Sequence, residues 1–222
     1  MPVTGNRPRS ALRTAFLVFA AGITWAALAL QLVLFLQKAP ELGLSVLGGL
    51  AKFLTFMTNL TGLATASVLT SALWPQAGGV RHRLSRPAVQ GALVVYTSLV
   101  FVVYHFMLAG SWHPEPAWLL AAVLLHYVVP ACYLVFWVAF VPRGALRWSH
   151  LLGWQVFPIA YAVVIMAIGQ ALAGYPYPFL DVERLGWKAA LLAMAMVLAG
   201  YVLISLAVVA FDRWRVRAGQ PD

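Results

Sequence analysis

The sequence predicts an all-α, polytopic membrane protein of six transmembrane helices with both termini cytoplasmic. Three observations predict it. Of its 222 residues, 63% are hydrophobic and only 9% are charged. The apolar residues fall into six long runs, each near the length of about 20 residues that a helix needs to cross the hydrocarbon core. The basic residues cluster between alternate runs, as the positive-inside rule requires of cytoplasmic segments. The apolar runs are continuous rather than alternating, which argues against a β-barrel.

The expected spans are 14–37, 47–73, 89–110, 117–141, 151–173 and 187–211, forming one domain over residues 1–222. The first run is too long and continuous for a cleaved signal peptide and reads as a retained span. Arg7, Arg9 and Arg13 precede it. Arg81, Arg83 and Arg86 separate the second and third runs, Arg143 and Arg147 the fourth and fifth, and Arg213, Arg215 and Arg217 come after the sixth. Lys38, Lys52, Arg184 and Lys188 fall on the other side. Topology and anionic lipid therefore account for the net charge of +9 without nucleic acid. The single cysteine, Cys132, sits in the fourth run and reads as a small packing residue.

Polar residues inside spans carry the functional information, because each is costly there. The second run holds Lys52, Thr55, Thr58, Asn59 and Gly62. In a continuous helix the last four share one face, suited either to close helix packing or to a site. Lys52 reads as an interfacial residue whose ammonium reaches the outer mouth. The fourth run holds His126, four residues before Pro130, which has no N–H for the His126 carbonyl and should distort the helix there. His105 lies in the third run, His113 and Glu115 in the next loop, Gln170 near the end of the fifth run, and Pro158 within it. Counted from the basic ends, Thr55, His105 and His126 rise to similar depths of about 22–28 Å. All six acidic residues are assigned to loops or tails, which argues against carboxylate-based ion pumping.

A threonine hydroxyl and a neutral imidazole suffice for nucleophilic acyl transfer. Thr55 with His126 is the expected pair, with Thr58 as the neighbouring alternative, Asn59 as an oxyanion donor and Lys52 as a partner for a lipid carboxylate. No bound cofactor is required. Two other readings stay open. His105 and His126 could be the axial ligands of a haem in an electron-transfer protein. Alternatively, the polar stripe is packing, and the chain is a non-enzymatic binder, scaffold or transporter.

The run Lys52-Phe53-Leu54-Thr55-Phe56-Met57-Thr58-Asn59, then His126-Tyr127-Val128-Val129-Pro130, then Gly174-Tyr175-Pro176-Tyr177-Pro178-Phe179-Leu180-Asp181, resembles the androgen-induced, six-span membrane protein family. Animal members are threonine hydrolases of fatty acid esters of hydroxy fatty acids. The resemblance implies a lipid-ester substrate, Thr55 as nucleophile, His126 as its partner, and the Tyr-Pro-Tyr-Pro segment as an outer loop capping a pocket. The Ala, Leu and Arg content and short loops fit the bacterial branch and an inner membrane.

Overall fold

A computed structural model of the protein describes residues 7–74, 78–110, 114–169 and 174–218, with side chains from residue 11 onward. His113 and Gln170 lie outside the described residues. Helix α1 spans Arg7–Lys38, α2 Val46–Leu54, α3 Met57–Ser71 and the short α4 Val80–Leu84. Helix α5, Pro87–Val103, runs on into a π turn at Tyr104–Leu108. Helix α6, Pro116–Val123, passes through a second π turn, Leu124–Val128, into α7, Val129–Phe140. Helix α8 spans His150–Ile168, and α9 spans Val182–Arg217. No strand occurs among the described residues.

Five helical stretches are long and apolar enough to cross a membrane, and α2 with α3 makes a sixth if that bent pair is one span. Their outward faces remain apolar. Leu152, Val156 and Val163 on α8, and Met196 and Leu203 on α9, are exposed. In water such faces would be uncovered hydrophobic surface; against lipid they match their solvent. Inward, Tyr133, Phe136 and Trp137 of α7 are fully buried at the centre of the main core.

Arg13 and Arg215 mark one end of the bundle, the basic end. Arg13 donates to the Ala72 carbonyl at 3.1 Å, joining the start of α1 to the end of α3. Phe16 and Phe140 bring the end of α7 to the same place, their ring centroids 5.6 Å apart. Arg215 donates to the Val138 carbonyl at 3.1 Å and lies over the Trp137 ring. Both ends of the described chain therefore share this basic end.

Asp212 corrects the reading of every acid as a loop or tail residue. It belongs to α9, is fully buried, pairs with Arg215 at 3.0 Å and accepts from the Leu146 N–H at 3.0 Å. A buried charge needs both pairing and hydrogen bonds, and here it has both.

The second run departs most from expectation. It is not one helix over 47–73 but two, meeting at about 80° at Thr55–Phe56. Helix α2 lies across the end opposite the basic one, and α3 runs from there to the basic end. Phe56 is extended, with φ −88° and ψ 123°, and its ring packs between those of Phe35 and Tyr177. Neither glycine nor proline occurs at the break. Tertiary contacts hold it open instead.

Candidate active site

A broken helix frees backbone groups that must find partners away from water. Three side chains supply them. The Asn59 amide donates to the Phe53 carbonyl at 2.8 Å. The Tyr161 hydroxyl, from α8, donates to the Thr55 carbonyl at 2.7 Å. The Met57 N–H, at the uncapped start of α3, donates to the Tyr177 hydroxyl at 3.0 Å. Tyr177 comes from the Gly174–Leu180 strap, which Lys52 fixes by donating to the Gly174 carbonyl. Tyr177 also interacts with the side chains of Thr58 and Tyr161. Burial pushes its phenol up from the usual range, keeping it a protonated donor.

Thr58 is the second residue of α3, and its Oγ1 lies 3.2 Å from Nε2 of His126. Nδ1 of His126 lies 2.8 Å from the Ala122 carbonyl. A carbonyl only accepts, so in the neutral imidazole the proton sits on Nδ1 and Nε2 accepts from the Thr58 hydroxyl. The Tyr104 ring stacks on the imidazole, centroids 4.0 Å apart, and fixes its plane. The two π turns thus lie side by side, one presenting Tyr104 at its first residue and the other presenting His126. The distortion expected before Pro130 takes this form, with the Val129 N–H returning to the Leu124 carbonyl. Such turns often occur at functional sites because the extra residue re-aims side chains.

Two cavities meet at the pair, and Thr58, Tyr104, His126 and Tyr177 line both. One, about 340 Å³, lies under the strap between α1, α3 and α6, against Gln31, Phe35 and Trp118. The other is a narrow apolar slot of about 60 Å³ against α5, α8 and α9, with Leu99, Met194 and Leu198 among its walls.

The expected residues fare differently. Thr55 is buried, but its hydroxyl donates to the Lys52 carbonyl at 2.7 Å, and it lines neither cavity at His126. The hydroxyl facing the imidazole belongs to Thr58. The shared face expected for Thr55 and Thr58 does not form, because the helix breaks between them. Asn59 lines the larger cavity, but its amide donor is taken by Phe53, so the atom without a partner is the acceptor Oδ1. Lys52 is turned to the strap rather than standing at the mouth for a carboxylate. His105 is exposed, pairs with the Tyr127 hydroxyl at 3.1 Å and lines neither of these two cavities. Among the described residues no group of three or more metal-ligating side chains forms.

Gln31, Tyr104, Tyr161 and Tyr177 are site residues that the sequence does not single out. Only Tyr177 carries a signal, through the strap motif. No protein-family model matches the chain, and no curated protein or solved structure matches it.

Proposed function

We propose that this chain is an integral membrane lipid-ester hydrolase in which His126 is the general base and Thr58 the hydroxyl it activates. The observation that carries the reading is the chain of contacts from Thr58 through His126 to the Ala122 carbonyl, opening on two cavities among apolar helices. It has the form of an activated nucleophile: hydroxyl, base, and a group that orients the base. Thr58 Oγ1 attacks the ester carbonyl carbon while its proton passes to Nε2. The imidazolium then protonates the leaving alcohol oxygen, and an acyl-threonine remains. Water, deprotonated by the same nitrogen, attacks the acyl carbon and releases the acid, and the proton returns to Thr58. The Tyr177 hydroxyl, which takes the Met57 N–H and interacts with Thr58, is the donor offered to the developing oxyanion.

The resemblance implies Thr55 in the same role, so the two threonines are tested together. Purified protein in detergent is treated with a fluorophosphonate probe that labels activated hydroxyls. Labelling is expected in the wild type and should fall at least about a hundredfold in Thr58→Ala and His126→Ala. Loss in Thr55→Ala alone transfers the nucleophile to Thr55 and keeps the hydrolase. Full labelling in both threonine variants removes threonine chemistry, and no labelling of the wild type leaves a non-enzymatic binder.

The membrane is proposed to be a bacterial inner membrane, with both termini cytoplasmic. The clustering of arginines at the end shared by both described chain ends supports this orientation. The strap and the larger cavity then face the outer leaflet, and lipid is the substrate within reach.

A further inference from the structure

The larger cavity has a polar feature that the hydrolytic step does not use. Asn59 is fully buried, and its Oδ1 has no hydrogen-bond partner among the described residues. The orientation of this amide is not arbitrary, since the Phe53 carbonyl accepts only from the NH₂ end. On the α1 wall of the same cavity, Gln31 Oε1 is also buried without a partner. Two buried acceptors without partners, on residues that line one cavity, are costly unless a ligand supplies donors.

The charges around them restrict the donor. Among the described residues no lysine or arginine lines this cavity, and Lys52 donates to the Gly174 carbonyl. An ionised carboxylate would meet two carbonyl oxygens and no cation. No acid among the described residues lines the cavity either, so an ammonium group would be desolvated without a counter-charge. A neutral hydroxyl satisfies both acceptors with no charge to bury.

We propose that this cavity is a subsite for the hydroxyl-bearing alcohol portion of a lipid, so that the substrate is a partial ester of a polyol, of the monoacylglycerol type. Its free hydroxyls donate to Asn59 Oδ1 and Gln31 Oε1, and its ester lies at Thr58 and His126. The assignment of substrate rests on the hydrolase reading; the subsite itself does not.

The test therefore uses binding as well as turnover. A 1-O-alkylglycerol has an ether in place of the ester and cannot be cleaved. Added to the full-length protein in detergent, it should raise the melting temperature. The matching alkyl methyl ether, which lacks hydroxyls, and the fatty acid of equal chain length, ionised at pH 8, should each bind at least about tenfold more weakly, as loss of one good hydrogen bond implies. Gln31→Met, on α1 rather than on either arm of the helix break, should weaken the glycerol ether by a similar factor and leave the methyl ether unchanged. Equal or tighter binding of the carboxylate, equal binding of the methyl ether, or no effect of Gln31→Met on the glycerol ether overturns the proposal. If the glycerol ether binds as expected but no ester is cleaved and no probe labels the protein, the hydrolase reading fails and the subsite stands.

Discussion

Thr58 and Thr55 are three residues apart and chemically identical, yet the structure treats them differently. Thr55 ends α2, and its hydroxyl closes back on the Lys52 carbonyl. Thr58 is the second residue of α3, at the helix end whose dipole favours a developing negative charge. The residue that links these roles is Tyr177. Its hydroxyl serves the Met57 N–H, interacts with Thr58 and borders both cavities. Tyr177→Phe removes one oxygen and leaves a buried N–H unpaired, which costs about 1–3 kcal/mol. The expected outcome is a lower midpoint in a mixed-micelle unfolding titration together with weaker fluorophosphonate labelling. Unchanged stability would show that Tyr177 is not the partner of the helix break.

The two π turns are the elements that aim the site. Each holds one more residue per turn than an α-helix, which rotates the helix on one side of it relative to the helix on the other. At Leu124–Val128 this rotation turns His126 toward α3, and at Tyr104–Leu108 it sets Tyr104 against the imidazole. Deleting Val128 removes the extra residue and turns α6, with His126, by about 100° relative to α7. Labelling should be lost in protein that still elutes as a single species in size-exclusion chromatography. Labelling at the wild-type level would mean that the turn does not position the base.

Across the whole molecule the two ends differ in kind. The basic end is closed by direct contacts: Arg13 to the Ala72 carbonyl, and the buried Asp212–Arg215 pair holding the Leu146 loop and α7. The opposite end carries the crosswise α2, the strap and the larger cavity. The proposed orientation predicts how each end meets an impermeant reagent. In intact cells and on a Cys132→Ser background, a cysteine at Ala109 should react with an impermeant maleimide. One at Ser85 or Ser149 should react only after permeabilisation. The reverse pattern inverts the protein and moves the larger cavity to the cytoplasmic leaflet.

The helical class, the apolar runs and the collection of arginines at alternate loops are set by the amino-acid sequence alone. They arise from side-chain transfer energies summed over about twenty residues, a local property that no packing detail reverses. Sequence also marks His126, because a histidine one turn before a proline in an apolar run is conspicuous whatever surrounds it. The break at Thr55–Phe56 is not legible there, since no proline or glycine signals it. It exists because Asn59, Tyr161 and Tyr177, the last two more than 100 residues away, satisfy the backbone groups it frees. Which threonine meets the imidazole is settled by tertiary contacts, because an 80° bend between residues three apart overrides helical spacing, and groups distant in the chain hold that bend.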